Sequence, residues 1–390
     1  MTDAPTIVKA TAPAELLALL QQLSTEPLRS GIVIAPFAER RSPAVLRHPL
    51  PATAAEWKAV ASTVMGMISR LRGCDSVAIA ICTEEPFDDA IVTYAPLEQM
   101  LLCRFLSAGF TVYDTFCVAA DGWARFDEAE RRDLAEVARI VAAMPPDDED
   151  APPRLTGALP RTDPSLAARV AVPLLEREDG LRVDAFGRVL ADAGSDPIET
   201  FERTLGVEVA RVGPELLADL ILDLQTEGDF DRAVLQVCSG TERAGEVWSS
   251  TLATRAEAAR RGEQPIELML RERRRHGRGG SDEVAELLRG LRGARPDSRR
   301  VHAAIALLGH VAAHAPREYR PTILCVLAWL HWSLGFGTCA GRLLDESARI
   351  FPQHELTTIV NAITLSVMVP SWVLDRDLRE ATGRTGRRPR

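Results

Sequence analysis

The run SVAIAIC at residues 76–82 constrains this chain more than any other stretch. Apolar side chains at consecutive positions suit a strand covered on both faces, as inside a parallel sheet. A helical pattern from about Leu97 to Ala108 follows, stops at Gly109 and hands over to FTVYDTFCV at 110–118. Strand, helix and strand make one βαβ unit, whose crossover is expected to be right-handed.

The flanking segments extend that unit. Leu16, Leu17, Leu20 and Leu23 give residues 13–24 one apolar helical face. GIVIAPF at 31–37 reads as a strand, and PAVLRHPL at 43–50 as its antiparallel return. Trp57, Val60, Val64, Ile68 and Leu71 define an amphipathic helix closing at Gly73, where a left-handed cap is expected. The turn Asp121-Gly122 leads to Trp123 and then to a helix over 127–144. Residues 1–145 are therefore expected to form an α/β domain with a small mixed or parallel sheet. The Pro- and Asp-rich stretch 146–164 lacks periodicity and reads as a linker. Residues 165–380 read as an all-α domain with an Arg-rich, mobile segment near 255–300, and 381–390 as a disordered basic tail.

Two stretches, 321–341 and 356–374, contain no Asp, Glu, Lys or Arg and reach the length of a membrane span. The first holds His331, Ser333, Gly335 and Gly337, the second Asn361, Ser366 and Pro370. Neither is uniformly aliphatic, so both are expected to be helices packed on each other, with no membrane involved. Gly335, Ala340, Leu344 and Pro352 have the spacing of the second half of a tetratricopeptide repeat. A lone hairpin cannot bury its own face, so it belongs to a packed helical domain.

Composition narrows the chemistry. Of 46 basic residues only Lys9 and Lys58 are lysines, and neither follows a glycine-rich loop. P-loop, kinase and pyridoxal chemistries each need a placed lysine, so all three are excluded. The first strand is followed by AERRSP, not by a dinucleotide-binding glycine pattern. No G-x-S-x-G occurs, and Cys238-Ser239-Gly240 has no local activating partner. The seven cysteines are odd in number and form no C-x-x-C, which points to buried thiols in a reducing compartment. The start MTDAPTIVK lacks the basic flank and apolar core of a secretory signal, so a cytoplasmic location is expected.

Three groups of side chains merit weighing. Glu84, Glu85, Asp88 and Asp89, in the loop 84–89 at the carboxyl edge of the sheet, carry the oxygens that a hard cation takes. Nothing acidic obviously converges on them, and a solvated acidic loop is the expectation. His310 and His314, four apart beside His302 and ahead of His331, share a helix face but lack the Glu of a zinc-hydrolase motif. His354-Glu355 has no second histidine at the right distance. Arg271, Arg273, Arg274 and Arg275 open a basic segment, 271–300, able to neutralise phosphates. Acidic residues interrupt it, no aromatic lies among the arginines, and the net charge is -9, so a solvated face is expected over nucleic-acid binding. No cofactor or metal is expected.

The order TAPAELLALL (11–20), SGIVIA (30–35), LRHPLP (46–51), YDTFCVAADGW (113–123) and AWLHWSLGFGTCA (328–340) resembles an actinobacterial family catalogued as domain of unknown function 4192. The resemblance spans most of the chain. It implies an α/β front part and a helical back part with a tetratricopeptide-like hairpin, and it supplies no activity. Members often follow the Trp with a cysteine cluster, whereas here Trp123 precedes ARFDEAERRDLAEV, so a metal role does not transfer. The leading expectation is a cytoplasmic, non-catalytic protein-binding or scaffold protein that meets a partner through its helical domain. A small-molecule or metal-dependent enzyme using residues 84–89 comes second, and nucleic-acid binding third.

Overall fold

The computed structural model describes residues 10–374 apart from 25–27, 29, 39, 43–44, 129, 145–154, 181, 184–188, 191–195, 226–227, 264–266, 269–270, 272–279 and 368. Contacts divide the chain into one unit of residues 1–156 with 374–390 and another of residues 157–373.

The first unit runs α1 (Pro13–Leu23), β1 (Gly31–Phe37), β2 (Leu46–His48), α2 (Trp57–Ser69), β3 (Ser76–Cys82), α3 (Phe87–Ser107), β4 (Thr111–Ala119), β5 (Gly122–Arg125) and α4 (Leu134–Ala143). Its sheet has the order β2-β1-β3-β4-β5. Only β3 and β4 pair in parallel, and the other three pairings are antiparallel, so the sheet is mixed. Every residue of β1 and β3 is buried, which explains their continuous apolar runs. Alternation then sorts the side chains. Val33, Ala35, Ala78, Ala80, Phe116 and Trp123 share one core with Leu17 and Leu20 of α1 and Val137 of α4. Ile32, Ile34, Val77 and Ile79 project from the opposite face, where α2 and α3 supply the buried Val64, Ile68, Leu97, Leu101 and Phe105.

Several boundaries differ from the sequence reading. Helix α3 begins at Phe87, ten residues before Leu97, because Asp121 Oδ1 accepts the Phe87 amide at 2.7 Å. That cap arrives from the β4–β5 turn, out of reach of local pattern. Pro96 lies inside α3 and has no amide to offer the carbonyl of Val92, a residue 73% exposed. Beyond Trp123 the chain does not enter a helix at 127. It forms the hairpin strand β5, then a backbone bridge between Trp123 and Arg132, and α4 starts where Asp133 Oδ1 accepts the Ala135 amide at 2.8 Å.

The second unit carries α5 (Pro164–Gly180), a short ribbon of β6 (Arg182–Val183) and β7 (Val189–Leu190), and then α6 (Pro197–Leu205), α7 (Pro214–Leu222), α8 (Asp229–Ser239) and α9 (Thr241–Arg261). It continues through α10 (Gly280–Leu288), α11 (Ser298–His314), α12 (Arg320–Ser333), α13 (Gly337–Ile350) and α14 (Glu355–Ser366). The described parts of 255–300 are largely helical, while the tail 381–390 lies outside the described residues. Of the stretch read as a linker, 146–154 also lies outside them, and 157–163 is fastened to the helices. Gly157 has φ +68°, and a Cβ there would meet the backbone of Cys339 at 2.9 Å. Thr162 Oγ1 donates to the Ala313 carbonyl at 3.0 Å, and the Asp163 amide donates to His314 Nε2 at 3.1 Å.

Helix α12 explains the first charge-free stretch: all but two of its residues are buried. Trp329 and Trp332 of α12 cluster with Trp372 in tilted and edge-to-face contacts, with the three centroids 5.7–6.3 Å apart, and each indole N–H has an acceptor. Trp329 donates to the Leu288 carbonyl, Trp332 to Val367 and Trp372 to Ser333, each at 2.8 Å. Gly290, at φ +67°, leaves room for this cluster, since a Cβ would come within 2.4 Å of the Trp332 ring. The span 355–374 is long and apolar enough by composition to cross a membrane. Its helix stops at Ser366, however, and Val360, Pro370 and Trp372 are buried in the helical unit.

Candidate functional site

At the carboxyl edge of the sheet the loop is shorter than its sequence suggests. Asp88 and Asp89 already occupy the first turn of α3, where the positive helix end favours them. The side chains of Glu84, Glu85, Asp88 and Asp89 are exposed. Glu85 Oε1 accepts from Tyr94 Oη at 3.0 Å, the Glu85 amide donates to Thr83 Oγ1 at 3.2 Å, and Asp121 pairs with Arg131. Hydrogen bonds within the loop therefore account for its shape. Among the described residues no group of three or more His, Cys, Asp or Glu is placed to hold a metal ion.

The histidines are absorbed into packing. His314 Nδ1 donates to the His310 carbonyl at 2.8 Å, which leaves Nε2 to accept the Asp163 amide. Both ring nitrogens of His314 are thus spent, so it has no lone pair to share with zinc although its ring lies 4.3 Å from that of His310, whose Nε2 is buried without a hydrogen-bond partner among the described residues. His331, 4% exposed, donates from Nδ1 to the Leu327 carbonyl, and burial pushes its pKa down. The buried thiols are equally quiet, whereas Cys103 is exposed. Burial raises Cys238 to about 12 and Cys325 to about 11, so neither offers a thiolate at neutral pH.

Arg271 makes a two-pronged contact with Glu263, at 2.9 and 2.7 Å, so its charge is already met. Arg243 reaches Glu283, Arg292 reaches Glu286 and Arg300 pairs with Glu202. Arg273, Arg274 and Arg275 lie outside the described residues.

Helix α14 leaves apolar side chains uncovered. A buried hydroxyl chain ties α14 to its neighbours: Thr357 and Ser347 oxygens meet at 2.6 Å, Ser347 Oγ donates to the Pro321 carbonyl at 3.2 Å, and Thr357 Oγ1 meets His354 Nδ1 at 2.7 Å. With Thr357 and Val360 turned inward, helical spacing turns Ile359, Ala362 and Leu365 outward, three residues apart on one stripe. Ile359 is 54% and Leu365 69% exposed, and Phe351, just ahead of the helix, is 50% exposed. Glu355 is the only charged residue in α14. The sequence reading placed this segment among packed helices. The missed signal is that ELTTIVNAITLS carries apolar side chains on more than one face, more than one packing partner covers.

Searches against curated proteins and against solved structures gave no match. A family model described as "Domain of unknown function (DUF4192)" matches residues 13–371, from the first turn of α1 to the Trp372 neighbourhood. That span takes in the sheet, both helical layers around it and the tryptophan-anchored helices, and the chain belongs to this DUF4192 family.

Proposed function

We infer that this is a cytoplasmic, non-catalytic protein-binding or scaffold protein that takes an amphipathic helix of a partner onto the outer face of α14. The observation that carries this reading is the exposed stripe of Ile359, Ala362 and Leu365 on a helix whose one charged residue is Glu355. Apolar area kept in water at adjacent positions, with charge depleted, has the composition of an interface centre. An apolar helix face laid on Ile359, Ala362 and Leu365 meets charge only at Glu355, at the start of α14, which favours a helix-on-helix partner over a charged ligand. The α12–α13 pair supports a tetratricopeptide-like hairpin behind this face: Ala340 is fully buried, Leu344 is 3% exposed and Gly335 turns at φ +96°. Seven free cysteines fit a reducing compartment. The nucleic-acid reading is weakened by Arg271, whose charge is committed to Glu263.

Affinity purification from the native host, with wild type and an Ile359→Glu/Leu365→Glu variant in parallel, tests the reading. A stoichiometric protein recovered with the wild type and lost from the variant is expected. Retention of nucleic acid or a small ligand in its place, or a partner held equally by both proteins, would overturn it. Both substitutions lie on the exposed face and should leave the melting temperature within a degree or two.

A further inference from the structure

We propose that the layer of α2 and α3 is an interface between two copies of this chain, with α3 packed antiparallel on α3 about a two-fold axis near Gln99. The stripe that carries the proposal is Val92, Pro96, Gln99, Cys103 and Leu106, all exposed and spaced alternately four and three apart along α3. Val92 is 73% and Leu106 54% exposed. No charge interrupts the stripe. The charged residues of α3 are Asp88 and Asp89 in its first turn, Arg104 in its last, and Glu98, which is 3% exposed and accepts from Thr115 Oγ1 at 2.7 Å. Beside it, α2 shows Ala59, Ser62, Thr63, Gly66 and Ser69 to solvent. Their hydroxyls donate within their own helix, Ser62 to the Lys58 carbonyl at 2.7 Å, Thr63 to Ala59 at 3.0 Å and Ser69 to Gly66 at 3.1 Å, so covering them strands no donor.

Charge at the two ends of the layer selects the occupant. Both helices run from the sheet edge that holds Cys82 to the edge that holds Ser76. Helix α2 begins after β2 has ended at His48, opposite Ile32 and next to the Gly31–Cys82 pair, and α3 ends just before Thr111 pairs with Ser76. The starting end carries the exposed Glu84, Asp88 and Asp89, with Lys58 of α2 as the cation among them. The finishing end carries the exposed Arg70 and Arg72 and the half-buried Arg104, with Asp75 as the anion among them. Glu84, Asp88, Asp89, Arg70, Arg72 and Arg104 have no ion pair among the described residues.

A second copy turned end for end lays acid on base at both ends and opposes the two α3 dipoles favourably, whereas a parallel copy would set acid on acid. The same turn matches the stripe to itself. Val92 and Leu106 stand evenly either side of Gln99, so each faces the other across the axis, and Pro96 falls beside Cys103. Self-complementarity of this kind is what an isologous contact requires, and a partner of another sequence would not call for it. The uncharged patch runs about 20 Å along α3 and about 20 Å across two packed helices, which is small for a permanent dimer and suits a reversible one.

Sedimentation equilibrium of the full chain reads the association directly. Wild type is expected to dimerise reversibly with a micromolar dissociation constant, and Val92→Glu/Leu106→Glu to raise that constant at least tenfold while leaving the melting temperature in place. Asp88→Arg/Asp89→Arg should weaken the dimer likewise, and adding Arg70→Asp/Arg72→Asp should restore it, because the exchanged ends meet again. Gln99→Cys/Cys103→Ser should cross-link to its own copy on mild oxidation, since only a residue at the axis meets itself. Ile359→Glu/Leu365→Glu should leave the dimer intact, which keeps this surface separate from the face of α14. A monomer at every concentration, even one that holds a different protein on α3, would overturn the proposal. So would a dimer that Val92→Glu/Leu106→Glu retains, or an exchange of charges that fails to restore association.

Discussion

The two units bury different things. Among the described residues the sheet unit encloses Ser24, Ser76, Thr83 and Glu98 as its buried polar side chains, whereas the helical unit encloses ten, including Asp229, Arg232, Gln236, His314, His331, Ser347 and Thr357. A sheet joins its elements through the backbone, so its side chains are free to be apolar. Helices spend their backbone groups internally and must be joined by side chains. Gln236 shows the consequence, reaching the Ile198 carbonyl at 2.8 Å and Glu202 at 3.1 Å from a fully buried position. The tryptophans of α12 do the same for the last helices. Specification by buried polar contacts is costly when one partner is lost, and apolar packing degrades more gradually.

Substitutions can break or sharpen this contrast. The largest effect is expected for Arg232→Met, which leaves Asp229 buried without its cation and should cost about 3–5 kcal/mol, seen as a lower urea midpoint. A loss under about 1 kcal/mol would show that the cluster relaxes or hydrates, and the contrast would fail in its strongest place. Trp332→Phe keeps most of the ring but strands the Val367 carbonyl, with an expected cost of about 1–3 kcal/mol. Crystallography of that variant would reveal whether Val367 finds another donor. The smallest effect belongs to the sheet: Ile79→Val removes one methylene from a site 1% exposed and should cost about 0.5–1.5 kcal/mol. A sheet variant as damaging as Arg232→Met would erase the distinction between the units.

Pattern within a few residues was enough to reveal β1 and β3, the faces of α1 and α2 and the buried character of α12. Each of these is set by a local period in apolar side chains, which water reads the same way whatever surrounds the chain. The exposure of Glu84, Glu85, Asp88 and Asp89 was legible for the same reason. The start of α3 was not, because Asp121 supplies its cap from 34 residues away. Nor was the hairpin strand β5, too short at four residues to show alternation against the turn before it. The pairing of His314 with Asp163 and of Arg300 with Glu202 joins groups 151 and 98 residues apart. The candidate surface shows the division most clearly. Sequence determined that α14 would be apolar and almost uncharged, and only tertiary packing decided which side of it α12 and α13 would cover. Two helices can screen one stripe of a third, so Thr357 and Val360 went inside and Ile359 and Leu365 were left in water. Arg232 is the converse case: nothing in DFDRAVLQVCS marks its arginine as buried, and only tertiary packing, with the Asp223 carbonyl and the Trp248 ring of α9 against it, left that side chain 1% exposed.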